Sequence, residues 1–193
     1  MGTKVKQVEY VHVLPTPFKG LKINIKDGFS VMMSVAANSL IMETKKFSWE
    51  KGIQFITPRE LFYTLMNGVG LESVARRILR KLNVDEMLAG YLAYHRISIG
   101  NKNKCSIDEM EFDNDFCALI KRAEKEAEDA RQKYIWTHHL LLALFDDKEK
   151  PQKFLWSPNR ILCQALTLNP DKVKNVVDEL LNDFNAKEEP KAH

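Results

Sequence analysis

Cysteine is scarce in this chain, and what there is cannot build a framework. Cys105, Cys117 and Cys163 are odd in number and widely spaced, with no paired C-x-x-C of the kind that holds zinc, so they read as reduced thiols of a cytoplasmic protein. An excess of one charge is missing too. Against 29 Lys and Arg stand 26 Asp and Glu, and the signs are interleaved, which argues against nucleic acid as a partner. No apolar run approaches the roughly 18 residues that a membrane span needs, and "MGTKVKQVEY" lacks the apolar core of a signal peptide. Lys6 also stands where a myristoylation pattern requires Ser or Thr. No membrane partner is expected.

Catalytic signatures are equally thin. The glycine cluster "NGVGLES" has neither the spacing nor the lysine of a phosphate-binding loop, and no G-x-S-x-G elbow occurs. Ser73 and Ser157 have no motif around them, and Cys163 lies in an apolar stretch that suits a packed thiol. Asp146, Asp147 and Glu149 alternate with Lys148 and Lys150, as in a solvated loop. The expectation is a protein without cofactor or metal that is not an enzyme.

Helical period dominates what is present. "FCALIKRAEKEAEDARQK" (116–133) puts Phe116, Leu119, Ala123, Ala127 and Ala130 on one stripe, with Arg122–Glu126 and Lys125–Asp129 pairs outside. A last helix begins after Pro170 and carries Val173, Val176, Val177, Leu180, Leu181 and Phe184 at helical spacing. Two segments alternate at period two instead. "KVKQVEYVHVL" and "LKINIK" predict extended arms joined by a turn, and "RISIGNKNKCSIDEMEFD" (96–113) predicts a hairpin around "GNKN".

One stretch occurs twice. Set "FITPRELFYTLMNG" over "YIWTHHLLLALFDD": Ile56 meets Ile135, Leu61 meets Leu140 and Leu65 meets Leu144, each pair 79 positions apart. Downstream, "VARRILRKLNVD" resembles "RILCQALTLNPD" after a short insertion. An internal repeat outranks single residues in choosing a fold. In the first copy Thr57 is a cap, Pro58 suits the first helical position and Glu60 completes a capping box. In the second, Trp136 or Thr137 takes the cap, and Leu140 to Phe145 are apolar all round, as in a buried helix. His138 and His139 fall in its first turn. Adjacent helical residues point about 100° apart and zinc helices space their histidines four apart, so the pair reads as packed or capping. The competing reading is a small enzyme or metal protein built on His138, His139 and His95.

With the duplication established, the chain resembles the Clp N-terminal domain, or Clp repeat domain, of Hsp100-type unfoldases. Its repeat runs as an alanine-containing helix, "I-x-T-E-H-L-L-L-A-L", then a "hydrophobic-L-x-x-L-G-V-D" helix. "AEKEAEDARQKYIWTHHLLLALF" and "ITPRELFYTLMNGVGLESVARRILRKLNVD" supply the two copies here, over about 29 to 184. His138 replaces a glutamate of the pattern, and Arg59-Glu60 replaces its Glu-His. The resemblance implies a mainly α fold, two tandem four-helix repeats in a pseudo-twofold bundle of about eight helices. Repeat 1 would span 29–95 and repeat 2 114–184, with an arm at 1–28, a hairpin or linker at 96–113 and a loose tail at 185–193. It further implies a module that docks adaptor or substrate polypeptides for Clp-type ATPase or protease subunits. That module is either free-standing or the detached front end of a longer unfoldase. Trp156, Phe154 and Trp49, near the "KFLWSPNR" and "KFSWEKG" loops, are the candidate contact residues.

Overall fold

Ser34 divides a strand from a helix, and the same division recurs at Asp113. In the computed structural model, which describes residues 20–26, 28–67, 73–95, 97, 100, 106–145 and 170–188, the chain begins as a hairpin. Strand β1 (Leu21–Lys26) pairs antiparallel with β2 (Phe29–Met33), Leu21 opposite Met33 and Ile23 opposite Val31. The preceding arm lies outside the described residues. Among the described residues the partner of "LKINIK" is "FSVMM", which falls inside the 29–95 span expected for repeat 1. Alternation decides the matter, since Val31 and Met33 are buried and their neighbours less so, a period of two.

Helix α1 (Val35–Glu50) starts where the Ser34 hydroxyl accepts the Ala37 N–H. Helix α5 (Asn114–Asp129) starts where the Asp113 carboxylate accepts the Phe116 N–H. The two helices have the same length, and both cap and first turn are again 79 positions apart. They also stop alike. Gly52 (φ 67°) and Arg131 (φ 55°) each take the left-handed conformation just past the helix. Each donates its N–H to a carbonyl of the last turn, Trp49 in one and Glu128 in the other. The helix expected to run to Lys133 thus ends at Asp129.

Between the paired helices the chain makes its most informative contacts. Strand β3 (Phe55–Ile56) runs parallel to β4 (Glu111–Phe112), and Asp113 N–H donates to the Ile56 carbonyl at 2.9 Å. A second parallel bridge joins Met33 to Ile135, and there Ser34 N–H donates to the Ile135 carbonyl at 2.9 Å. The residues that lead into the first helix of each repeat are therefore bonded to those that lead into the second helix of the other. The end of the segment expected as a hairpin or linker, 96–113, takes part in the first of these contacts. The segment's tip at 101–105 lies outside the described residues, and its end, β4, pairs with repeat 1.

Helices α2 (Pro58–Asn67) and α6 (Thr137–Phe145) follow these bridges inward. Leu61 and Leu140, Phe62 and Leu141, Leu65 and Leu144, Met66 and Phe145 are all buried, as are Ile56 and Ile135 in front of them. The apolar run of α6 has its expected consequence, for it packs against α1, α3, α5 and α7. Helix α3 (Val74–Lys81) is capped by Ser73, and α4 (Glu86–Tyr94) by Asp85. Helix α7 spans Pro170–Glu188, so residues 185–188, expected in a loose tail, are helical. Among its described side chains Val173 and Val177 are buried, and Lys81 of α3 reaches Glu179 at 2.8 Å. These make seven helices among the described residues. Any helix between α6 and α7 falls outside them.

Thr57 and Glu60 form the capping box with one change from expectation. Glu60 Oε2 accepts the Thr57 N–H (2.7 Å) and also its hydroxyl (2.6 Å), while Thr57 Oγ1 accepts from Arg59 rather than from Glu60. Burial raises the Glu60 pKa against these bonds, which act to lower it. Glu60→Ala should lower the unfolding free energy by about 1–2 kcal/mol and Glu60→Gln by less than half as much, since the amide oxygen still accepts the Thr57 N–H. The two copies yield a further prediction at their left-handed residues. Arg131→Gly should stabilise by about 0.5–1 kcal/mol and Gly52→Ala should cost about 1–2 kcal/mol, read from urea midpoints at unchanged slope.

Candidate functional site

The two histidines are interior residues. His138 and His139 are 2% and 1% exposed, and their rings touch, with centroids 4.1 Å apart. Their separation around the helix does not keep the rings apart, because the side chains lean together. His139 Nδ1 accepts the Trp136 N–H at 3.1 Å, and the Trp136 carbonyl accepts from His139 and Leu140. His139 therefore does for Trp136 what Glu60 does for Thr57, at the same 79-residue interval. Trp136 is the cap residue, and Thr137 is used otherwise: its hydroxyl accepts the Ala75 N–H at the start of α3, at 3.4 Å. His138 Nδ1 and Nε2 and His139 Nε2 find no hydrogen-bond partner among the described residues. Burial, with His139 beside it, lowers the His138 pKa to about 3, and burial lowers that of His139 to about 4. Both rings are neutral at pH 7. Among the described residues no three His, Cys, Asp or Glu side chains gather as they would around a metal ion. His95 is elsewhere, exposed at the end of α4 and edge-on to Tyr91.

Of the aromatic contact candidates, Phe154 and Trp156 lie outside the described residues. Trp49 sits on the last turn of α1, 38% exposed. A larger apolar surface, not read from the sequence, lies on α4. Helix α4 buries its small residues Ala89, Gly90 and Ala93 against α2 and leaves Met87 (83% exposed), Leu88 and Tyr91 (61%) outward. Gly90 permits that close approach, since a Cβ there would fall 2.2 Å from Asn67 Nδ2. The outward side chains continue into a row of half-buried rings. Tyr94 of α4 lies 5.5 Å from Tyr63 of α2, which lies 4.4 Å from Phe47 of α1, and Lys51 Nζ stands 5.6 Å from the Tyr94 ring centre. The signal was in "EMLAGYLAY". Small residues at 89, 90 and 93 mark the side that touches a neighbour, so the large ones must face out.

A polar concavity of about 310 Å³ opens between β1, α1 and the segment before α5. Lys45 lies on its wall with Nζ 5.0 Å from the Phe112 ring centre. Burial lowers the Lys45 pKa, and Asp108 opposes that shift. Cation–π contact and the facing carboxylate hold this ammonium at the seam between the repeats.

A motif duplicated at fixed interval, and helix pairs locked crosswise, define a fold that can be compared. The model of the Clp repeat (R) N-terminal domain matches residues 32–157. No curated protein matches the chain in sequence. Solved structures do match in fold. The Hsp104 N-terminal domain from Candida albicans is 14% identical at a TM-score of 0.59, covering 77% of this chain and 90% of that one. The N-terminal domain of the ClpV1 ATPase from the Sci1 type VI secretion system of E. coli is 16% identical at 0.59, covering 77% and 85%. The N-terminal domain of the protease-associated chaperone ClpD from Arabidopsis thaliana is 14% identical at 0.55, covering 78% and 94%. Likeness at such identities is likeness of fold, and the sequence match adds the family. With the repeat, its crossed pairing and the match over 32–157 all in place, the chain belongs to the Clp repeat N-terminal domain family.

Proposed function

We propose that the protein is a non-enzymatic recognition module of a Clp-type chaperone or protease system, working in the cytoplasm as an accessory that docks adaptor or substrate polypeptides. The outer face of α4 carries this reading. Met87, Leu88 and Tyr91 together present apolar surface with no charged residue among them, and the Tyr94–Tyr63–Phe47 row extends it across α2 and α1. Exposed aromatic and methionine side chains on a rigid frame are the usual anchors of a protein interface. Their rims are polar here, with Lys51 and His95 able to meet a partner's carboxylates or carbonyls. A polypeptide segment that lays an apolar stripe along α4 would cover this surface without any bond being made or broken.

A second reading has its own support. Solved structures similar to this chain include the N-terminal domains of Hsp104 and of the ClpV1 ATPase, so the same surface could serve as the front end of a longer unfoldase. Both readings place recognition on α4 and differ in what stands behind it.

The test is capture of bound proteins by in-cell crosslinking, then affinity measurement with whichever Clp subunit, adaptor or client is recovered. Met87→Asp and Tyr91→Ala should each weaken binding by about 30-fold, the scale of an interface anchor, with the melting temperature unchanged. Trp49→Ala measures whether the end of α1 belongs to the same surface. Full affinity in both α4 variants would overturn the assignment.

A further inference from the structure

Helix α6 puts two titratable rings where a charge cannot be accommodated. Helices α1, α3, α5 and α7 pack against α6, and each brings buried carbon to the shared core: Leu40 of α1, Ile78 of α3, Ile120 of α5 and Val173 of α7. Burial, and for His138 the neighbouring ring, are what act on these two side chains, with no carboxylate among the causes, and several charged groups of those helices are held elsewhere. Arg76 and Arg80 of α3 pair with Glu86, Lys81 of α3 pairs with Glu179 of α7, and Lys45 of α1 lies over Phe112. Arg122 of α5 does reach α6, but at the Ala143 carbonyl (3.4 Å), more than a turn beyond the rings, and it is itself a cation. Three of the four ring nitrogens have no partner among the described residues, and the fourth is an acceptor that protonation would remove.

We propose that His138 and His139 form an acid-sensitive latch: a proton on either ring expels the first turn of α6 and uncouples the two repeats. Each part of that step follows from the geometry. Protonated Nδ1 of His139 would point a hydrogen at the Trp136 N–H, which now donates to it, and the capping bond would become a repulsion. A proton on His138 would bury a cation without a counter-charge. Two imidazolium rings 4.1 Å apart would also repel each other. Once the first turn leaves, Ile135 is drawn from Met33 and Ser34, and one of the two crossed pairings is lost.

Folded-state pKa values of about 3 and about 4 lie below the ordinary 6.5 of the unfolded chain. The stability tied to neutral rings is therefore complete above about pH 6.5 and is lost as pH falls toward 4. Glu60 and Asp113 act in the opposite sense, because their folded pKa values are raised and acid favours their buried neutral forms. The histidine effect can thus be separated from general carboxylate titration. Its size is up to about tenfold in the folded-to-unfolded ratio per histidine per pH unit, or about a thousandfold for the pair between pH 7.5 and 5.

Urea unfolding of the full chain at pH 7.5, 6.5, 5.5 and 5.0 tests this on wild type, on His138→Phe and on His138→Phe combined with His139→Gln. The glutamine keeps an oxygen for the Trp136 N–H. The expected loss is about a thousandfold for wild type, about 30-fold for the single variant and none for the double variant. Coincident pH slopes in all three would overturn the latch. If a variant does not fold, NMR of wild type decides. Ring C2 protons of His138 and His139 should report neutral imidazoles at pH 5 while α6 amides lose exchange protection, and rings that titrate near 6.5 within the folded chain would refute the proposal.

Discussion

Two crossed pairings organise this molecule. The short segment before α1 bonds to the segment before α6, and the segment before α5 bonds to the segment before α2. Backbone groups at a helix entrance have no partner within the helix, and burying them unpaired would cost on the order of 1–3 kcal/mol each. Here Ser34 and Asp113 use their side chains to cap their own helices and their N–H groups to bond the other repeat. Each repeat thus completes the other's entrance. A single copy would leave both an entrance and the apolar sides of α2 or α6 uncovered, which is why duplicated units of this kind are stable only in company.

With the entrances fixed, the interior can be filled by helices that are apolar on nearly every side. Helix α2 has Glu60 at its third position and α6 has His139 there, and each side chain returns to the N–H of its cap. The substitution is chemically asymmetric. Carboxylate and imidazole both accept that hydrogen, but a buried carboxylic acid tolerates acid and a buried imidazole does not. The same frame leaves α4 on the outside, held to α2 through Ala89, Gly90 and Ala93, with its larger side chains turned to solvent. Interior polar groups and exterior apolar ones, both against the general rule for where residues go, are where this fold departs from packing alone.

Much of the architecture was legible in the residues because it is periodic. Ile56, Leu61 and Leu65 recur at Ile135, Leu140 and Leu144, and spacing revealed both the duplication and the two interior helices. The interval reaches further than the motif showed, to the caps at Ser34 and Asp113 and the left-handed residues Gly52 and Arg131. What escaped is non-local or two-sided. "FSVMM" is apolar enough for a helix or a strand, and only its pairing with "LKINIK" decides for the strand. The parallel contacts of β3 and β4 leave no period in so short a run. The surface on α4 escaped because "EMLAGYLAY" is nearly apolar all round, so only the sizes of its side chains tell inside from outside.

Recognition at α4, protection of the histidines and burial of α2 and α6 all presuppose that the repeats hold each other at their entrances. Amide hydrogen exchange at Ser34 and Asp113 reads that constraint directly, since each N–H is bonded across the repeats. Both amides should exchange only through global unfolding, with opening free energies equal to that measured by denaturant. Exchange of either one at the rate of an open amide, while α2 and α6 stay protected, would contradict the account.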